Sequence, residues 1–232
     1  MSYVFTPPAP VGVPVVGQAA LFPVHRIYCV GRNYEEHARE MGHSGGREAP
    51  FFFMKPADAV LVAPAGSTAV MPYPTLTTNL HHEVELVVAI GVGGSHIRAA
   101  DALRHIYGYA VGLDMTRRDL QNDMKKQGRP WCIGKGFDHS APMGPITPAA
   151  QVPDIARAGI YLQVNGQDRQ RSTVAKLIWS VAETIEQLSA AWTLQPGDLI
   201  FTGTPEGVGA VVRGDTLVGG VDGLQPLSVR VE

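Results

Sequence analysis

The sequence predicts a mainly β fold of the α+β class, with a few helices flanking the strands. Its 232 residues include 26 glycines and 18 prolines, which favour many short strands and turns over a helical bundle. Hydrophobic residues make up 45% of the chain and charged residues 17%, as in a globular protein with a large core. No repeat and no clear linker divides the chain, so we expect one main domain.

The first 22 residues are rich in proline and predict an extended arm that lies over the main domain or over a partner. The main domain is then expected to occupy 23–232. An apolar stretch at 27–30, Ile-Tyr-Cys-Val, predicts a buried strand that ends at Gly31.

A short helix should follow this strand. Asn33 is a good N-cap residue, and Glu36, three residues on, completes a capping-box pattern. Gly42 then supplies a stop signal, and the segment 43–47 predicts a flexible hinge. A helix of about eight residues is marginal alone, so packing or a ligand must stabilise it.

The later elements alternate between short apolar runs and amphipathic segments. The predicted strands are 51–54, which delivers Lys55, then 109–113, 160–164 before the hairpin turn Asn165-Gly166, and 199–202, which enters a glycine-rich loop at 203–209. The predicted helices are 99–107, 116–127 and 177–192, and a hairpin over 215–232 closes the chain.

Charge and hydropathy argue against several classes of function. The net charge is −2 and no basic block occurs, so the sequence shows no positively charged patch for binding nucleic acid. No apolar run approaches the roughly 20 residues that a membrane span needs, and the first 14 residues lack the pattern of a signal peptide. The two cysteines have no metal-ligand spacing and are expected to be reduced core thiols. We therefore expect a soluble cytoplasmic protein.

The tripeptide Glu83-Val84-Glu85 opens an alternating apolar strand, where residues i and i+2 point to one face. Two carboxylates therefore sit side by side, and a divalent cation such as Mg²⁺ or Mn²⁺ would offset their repulsion. Asp114, at the end of a second apolar strand, would complete a three-carboxylate set. The simpler alternatives are solvated acids on an exposed strand face and a helix N-cap role for Asp114.

Two histidines precede these acids and raise the question of a zinc site. A metalloprotease helix needs histidines at i and i+4 around a glutamate, and the position four residues after His82 is Leu86. We expect instead that one of His81 and His82 is exposed and the other packed.

His37 and Glu40 lie at i and i+3 on the short helix and so share a face. One interpretation is a dyad in which Glu40 orients and polarises His37 as a general base for water. A mobile helix would suit such a dyad, because it could close over a substrate as a lid. The other interpretation is a pair that faces solvent without consequence.

Other candidates fit an anionic substrate. Lys135 stands between two glycines, and Arg118 and Gln121 share a helical face with Asp114 before them. Thr204 and the bare N–H groups of its glycine-rich loop could hold a carboxylate, although these glycines could equally be plain turn formers. The lysines at 125–126 are expected to be solvated.

Six motifs occur in order along the chain. They are YCVGRNY at 28–34, KP at 55–56, HEVEL at 82–86, LDMTRRDLQ at 113–121, GKGFD at 134–138 and GDLIFTGTPEGVG at 197–209. Together they resemble the fumarylacetoacetate hydrolase family, and most of all its short acylpyruvase branch, from about residue 24 to the end. The motifs are highly specific as an ordered set.

This resemblance implies a mixed β-roll or sandwich, a homodimer, and hydrolysis of a C–C bond in an acylpyruvate, with fumarylpyruvate from aromatic-acid breakdown as the leading 2-oxo acid. It assigns Mg²⁺ or Mn²⁺ to Glu83, Glu85 and Asp114, the catalytic lid dyad to His37 and Glu40, and the substrate anion to Lys135, Arg118, Gln121 and Thr204. Lys135 would also stabilise the developing enolate. Arg32, Arg39 and Arg47 are candidates for a distal carboxylate, and the segment 43–48 leaves the acyl group open.

Two other functions are compatible with the same residues. Oxaloacetate decarboxylation or keto–enol tautomerisation would use the same enolate-stabilising metal without an attacking water. A non-catalytic 2-oxo-acid binding protein is the third possibility, although pure binding needs no general base.

Overall fold

The computed structural model describes residues 3–42 and 44–232, and short strands dominate it. The strands are β1 (Gly12–Pro14), β2 (Leu21–Pro23), β3 (Ile27–Gly31), β4 (Phe51–Lys55), β5 (Val60–Val62), β6 (Ala69–Met71), β7 (Leu80–His82), β8 (Val84–Ile90), β9 (Ile106–Leu113), β10 (Thr116–Arg117), β11 (Ala141–Met143), β12 (Thr147–Pro148), β13 (Gly159–Val164), β14 (Gln167–Thr173), β15 (Leu199–Phe201), β16 (Gly209–Val211), β17 (Thr216–Val221) and β18 (Leu227–Val231). The α-helices are α1 (Glu35–Glu40), α2 (Arg118–Lys126), α3 (Cys132–Lys135) and α4 (Val181–Ala191). These elements confirm the predicted mainly β class.

Two larger sheets form the body of the fold. The first has the strand order β4-β3-β15-β8-β9-β11-β5, with β12 also paired to β9. Its β3–β15 and β11–β5 pairs are parallel, whereas β8 and β9 pair antiparallel. The second sheet runs β14-β13-β17-β18-β6, and a small sheet joins β10, β7 and β16. Side chains from both larger sheets meet in one buried core.

The central strand β8 is buried on both faces. Leu86, Val88 and Ile90 point into the core that the two larger sheets share. Val87 and Ala89 point into a smaller core on the opposite side. Burial on both faces explains why the run after Glu85 is continuously apolar. The strand therefore gives a firm base to the acidic residues at its start.

The N-terminal segment is only partly an extended arm. Strands β1 and β2 pair as a hairpin, and Val13 and Phe22 are buried in the smaller core. The backbone N–H of Val16 donates to the carbonyl of Ile146 at 2.9 Å, which ties this hairpin to the body of the fold. Residues 3–10 are exposed.

The predicted N-cap role of Asn33 is wrong. Helix α1 begins at Glu35 after Tyr34, without a side-chain cap. The Asn33 amide instead donates to the carbonyls of Trp179 and Thr202 at 2.9 and 2.8 Å, and its oxygen accepts from the N–H of Trp179 at 2.7 Å. Long-range contacts of a buried side chain have replaced the local cap. In the predicted hinge after this helix, His43 lies outside the described residues.

The predicted helix at 99–107 is also wrong. Only a 3-10 turn forms at Ala102–His105, and β9 begins directly after it. Pairing with β8 along its length accounts for the difference, because this pairing recruits the residues from Ile106 onward into the central sheet. The helix predicted at 177–192 begins later, at α4, where Ser180 and Glu183 form a reciprocal capping box.

Two smaller observations complete the fold. Cys29 is buried as expected, but Cys132 is exposed and is not a core thiol. Within the described part of the chain, no helix is long and apolar enough to cross a membrane.

Candidate active site

Three carboxylates meet where β7, β8 and β9 come together. Glu83 links β7 to β8, Glu85 is the second residue of β8, and Asp114 directly follows β9. The antiparallel register places Val84 opposite Leu113, and the N–H of Asp114 donates to the Glu83 carbonyl at 2.8 Å. One oxygen of each of the three carboxylates lies within 4.8 Å of the others, and all three residues are buried. An exposed, solvated strand face is therefore excluded.

The pKa values of Glu83 and Glu85 in this cluster are shifted in opposite directions. Burial raises the pKa of Glu85 well above its usual value, and the charges of Asp114 and Glu83 raise it further. Burial would raise the pKa of Glu83 too, but Lys135 and Arg118 outweigh it and hold that pKa below its usual range. Glu85 accepts from the backbone N–H of Gly203 at 2.7 Å, and no ion pair within the described residues reaches it.

Three buried cations surround the other two carboxylates. Lys135 Nζ lies 2.7 Å from Glu83 Oε2 and 2.6 Å from Asp114 Oδ2. Lys55 Nζ lies 2.8 Å from Asp114 Oδ1, and Arg118 pairs with Glu83 Oε1. The two lysines and the arginine pair directly with Glu83 and Asp114, and none of them forms an ion pair with Glu85.

The donor set fits a hard divalent ion. Mg²⁺ and Mn²⁺ prefer carboxylate oxygens, and the three oxygens are close enough to converge on one ion. Such an ion would favour the charged form of Glu85, which burial and its acidic neighbours disfavour. The residues present therefore suit the predicted metal, and their role as its ligands stays a prediction.

His37 and Glu40 form a hydrogen-bonded pair beside this cluster. His37 Nδ1 lies 3.1 Å from Glu40 Oε2, and His37 is buried against the cleft. Burial would raise the pKa of Glu40, but the hydrogen bonds from His37 and from the Gly207 N–H outweigh it and lower the pKa. The pair does not simply face solvent. It is fastened to the glycine-rich loop, since the Gly207 N–H donates to the Glu40 carboxylate at 3.1 Å.

The glycine-rich loop is positioned by a buried amide from β14. Gln170 Nε2 donates to Thr204 Oγ1 and to the Pro205 carbonyl, both at 2.8 Å. Its Oε1 accepts from the backbone N–H of Val84 at 3.0 Å and lies 3.1 Å from His82 Nδ1. One side chain therefore joins the strand that carries the acids to the loop that carries Thr204.

Helix α2 presents Arg118 and Gln121 to the same cleft. Arg118 Nη1 donates to Gln121 Oε1 at 2.6 Å, so the guanidinium bridges the amide and the carboxylate cluster. His81 is half-buried, not exposed, with Nδ1 at 3.4 Å from Arg118 Nε. Burial, and then the nearby Arg118 charge, lower the pKa of His81 to about 4. His82 is buried, so neither histidine is the exposed one of the expected pair.

These groups line one cleft. Its lining includes nine of the twelve residues that the sequence proposed for the site: Arg32, His37, Glu83, Glu85, Asp114, Arg118, Gln121, Lys135 and Thr204. Glu40 stands behind His37. The structure thus brings the predicted site residues together, while their individual roles remain predictions.

Residues 26–232 match the family model described as "Fumarylacetoacetate (FAA) hydrolase C-terminal". The chain belongs to the fumarylacetoacetate hydrolase family. A fumarylpyruvate hydrolase of Pseudomonas aeruginosa, solved with Mn²⁺ and pyruvate, has 60% sequence identity and a TM-score of 0.97 over 99% of both chains. The fumarylpyruvate hydrolase of Ralstonia sp is 47% identical over 79% of this chain and 93% of its own. The mitochondrial oxaloacetate tautomerase of Rattus norvegicus is 43% identical over 89% of this chain and 91% of its own.

In this fumarylacetoacetate hydrolase family member, two buried residues behind the cleft lining, Lys55 and Gln170, have no role predicted from the sequence. Lys55 could have been noticed, because a lysine that ends an aromatic strand is poorly placed unless a carboxylate meets it. Gln170 carried no such signal. It is the only buried residue of the polar strand β14, and only the pairing of distant segments shows that it reaches the site.

Proposed function

We propose that this protein hydrolyses a C–C bond of an acylpyruvate, with fumarylpyruvate as the leading substrate and fumarate and pyruvate as products. The observation that carries the proposal is the buried carboxylate cluster beside the His37–Glu40 pair in one cleft. The relative with 60% identity, a fumarylpyruvate hydrolase that binds Mn²⁺ and pyruvate, supports the same activity and the same class of metal.

Glu83, Glu85 and Asp114 hold Mg²⁺ or Mn²⁺ in this proposal. When bound, the ion supplies Lewis-acid stabilisation for the negative charge that develops on the pyruvate enolate oxygen. Lys135, Arg118 and Gln121 donate to the anionic oxygens of the pyruvate half, and Thr204 and its loop N–H groups close over the carboxylate.

The His37–Glu40 pair carries the proton transfer. His37 takes a proton from a water molecule, and Glu40, fixed by the Gly207 N–H, orients the imidazole and stabilises its charged form. The water oxygen bonds to the distal carbonyl carbon, and the bond from that carbon to the pyruvate methylene breaks. The electron pair of that bond passes to the pyruvate enolate. The proton on His37 can then return to the methylene carbon, which gives pyruvate and the free acid.

Oxaloacetate tautomerisation is the second candidate, because the rat relative with 43% identity is an oxaloacetate tautomerase. The same cleft could stabilise the enolate of oxaloacetate and move one proton, with no C–C bond broken. Decarboxylation of oxaloacetate and binding without catalysis are the remaining alternatives for these residues.

A substrate panel distinguishes these candidates. Metal-depleted and reconstituted protein would be assayed with fumarylpyruvate, acetylpyruvate and oxaloacetate, with fumarate, pyruvate and CO₂ quantified. We expect reconstituted protein to release fumarate and pyruvate in equal amounts, with a higher kcat/KM than for any reaction of oxaloacetate. Enol–keto conversion of oxaloacetate without cleavage of either acylpyruvate would contradict the hydrolase proposal and support the tautomerase. Binding of all three without product would support the binding protein.

The proposal extends to the organisation of the protein. We infer a catalytic domain over 23–232 in a cytoplasmic homodimer, with the preceding segment 1–22 contributing a core-packed hairpin and an exposed arm at 3–10. The support for the homodimer is an apolar, exposed patch near the start of the chain: the exposed fractions of Tyr3, Val4 and Phe5 are 74%, 100% and 76%. A monomer in analytical ultracentrifugation at micromolar concentration would contradict the dimer.

A further inference from the structure

Two more cations line the cleft in addition to those that pair with the carboxylate cluster. Arg32 lies in the loop between β3 and α1, and Lys125 lies in the last turn of α2. Lys125 is seven residues after Arg118, so the two share a helical face. At 1.5 Å per residue they stand roughly 10 Å apart along the helix axis. Helix α2 therefore presents a cation at the carboxylate cluster and another about two turns away, with Gln121 between them.

Arg32 is held in an uncommon backbone conformation at this place. Its φ of +56° lies in the left-handed region, which a non-glycine residue adopts at some cost. The guanidinium lies over the Phe51 ring at 5.1 Å from the ring centroid. A methyl group at Gly31 would come within 2.0 Å of the same ring, so the glycine before Arg32 is needed for this packing. The loop is thus built to keep the guanidinium at the cleft.

Arg32, Arg118 and Lys125 concentrate positive charge in this cleft. Burial lowers the pKa of Lys125, and the nearby positive charges of Arg32 and Arg118 lower it further. An anion bound between Arg32 and Lys125 would be attracted by both charges. Lys125 is half-buried and lines the cleft, whereas its neighbour Lys126 is exposed and lies outside the cleft lining.

The other arginines considered for a distal carboxylate are engaged elsewhere. Arg39 pairs with Glu35 at 3.2 Å and also with Glu36 on the outside of α1. Arg47 lies 2.6 Å from Glu183 and stacks over the Trp179 ring at 4.1 Å from its centroid. Neither is part of the cleft lining, and Arg32 is.

A flat apolar wall completes this part of the cleft. Phe51, Phe53 and Trp131 all line it, with ring centroids 5.4 Å apart for Phe51 and Trp131 and 5.8 Å apart for Phe53 and Trp131. Aromatic faces suit a planar conjugated chain better than a branched or strongly hydrated one. The wall and the two cations together match an unsaturated acyl group that ends in a carboxylate.

We propose that Arg32 and Lys125 form a subsite for a second carboxylate, so that the enzyme selects acylpyruvates whose acyl chain ends in an acid over those that end in an alkyl group. This inference rests on the proposed function and specifies the substrate class of the same cleft.

The test compares two substrates that differ in the acyl end. Arg32→Gln and Lys125→Gln keep long polar side chains without the charge. Glutamine and arginine adopt the positive φ of position 32 equally well, so the substitution does not change the backbone cost there. For fumarylpyruvate we expect kcat/KM to fall about 10- to 100-fold in each variant, as for loss of a charged hydrogen bond. For acetylpyruvate, which has no second carboxylate, the loss should stay below about threefold, so the ratio of the two kcat/KM values collapses. Lys126→Gln is the matched control and should leave both values unchanged.

Several outcomes would overturn the subsite. Equal losses on both substrates would show a general effect on the cleft, and an unchanged ratio in both variants would show that neither cation contacts the acyl end. Acetylpyruvate turnover reports folding in the same assay, and Lys125→Gln, in the last turn of a helix, tests the subsite even if Arg32→Gln fails to fold. Wild-type protein that cleaves neither substrate would contradict the proposed function itself, whereas an unchanged ratio with active enzyme would contradict only the subsite.

Discussion

Replacement of His37 by alanine is expected to lower kcat for fumarylpyruvate by about 10²- to 10⁴-fold, the usual contribution of a general base. The imidazole is buried against the cleft and hydrogen-bonded to Glu40, so no solvent-exposed group can take its place easily. Metal affinity should be unchanged, because the proposed ligands are the carboxylates and not the histidine. Steady-state kinetics with saturating Mn²⁺, paired with calorimetric titration of Mn²⁺, measure both quantities.

The control for this variant is on the same helix. Glu36→Ala removes an exposed side chain of α1 that pairs with Arg39, and it should leave kcat within about twofold because exposed ion pairs contribute little. Glu40→Gln is expected to lie between the control and His37→Ala, since it keeps a hydrogen-bond acceptor but removes the charge. A fully active His37→Ala enzyme would remove the dyad from the mechanism.

Replacement of Glu85 by glutamine is expected to change metal binding and metal-free stability in opposite directions. Metal affinity should fall by at least ~10- to 100-fold, the range seen when even the partners of metal ligands are removed. The metal-free protein, however, should become more stable at neutral pH. Burial and two neighbouring carboxylates raise the pKa of Glu85, so its ionisation costs folding free energy.

The sign follows from the raised pKa. The folded state holds the proton more tightly than the unfolded state, whose pKa is near the usual 4.5. Metal-free wild-type protein should therefore lose stability from this group as the pH rises from about 4.5 through the raised value. Glu85→Gln should lack this loss and melt several degrees higher at neutral pH, since ~1 kcal/mol shifts the Tm of a chain of this size by ~2–4 °C.

Glu83→Gln is the matched comparison for this experiment. The pKa of Glu83 is held down by Lys135 and Arg118, so its removal leaves two buried cations with a partner missing. This variant should melt lower than wild type without metal, although it also loses a carboxylate from the cluster. Thermal melts at several pH values, with and without Mn²⁺, would contradict the account if both variants shifted the metal-free Tm in the same direction.

The strands and the acidic cluster were predictable because their signals are local. Alternation along 83–90 and the apolar run before Asp114 place the acids at the ends of strands, and a buried acidic pair implies a compensating charge. The hairpin at Asn165-Gly166 and the closing hairpin were correct for the same reason, because a turn signal and two short apolar runs suffice.

Several of the failures involve distant partners. Asn33 has the composition of an N-cap, but segments almost 150 and 170 residues away occupy its amide. The helical pattern at 99–107 was overridden because β9 pairs with β8 along its length. The sequence around Gln170 gave no sign of its contact with Thr204. Lys125 and Lys126 are neighbours of the same residue type, but only Lys125 lines the cleft. Position in the fold, which the sequence pattern does not carry, separates the two lysines.

The most direct measurement is the rate of fumarylpyruvate cleavage by protein stripped with a chelator and then titrated with Mn²⁺ or Mg²⁺. If three converging acids seat one catalytic ion, the stripped protein should be inactive, and activity should return in proportion to one ion bound per chain. Glu85→Gln should need at least ~10- to 100-fold more ion for the same recovery. Undiminished turnover by verified metal-free protein would contradict the account.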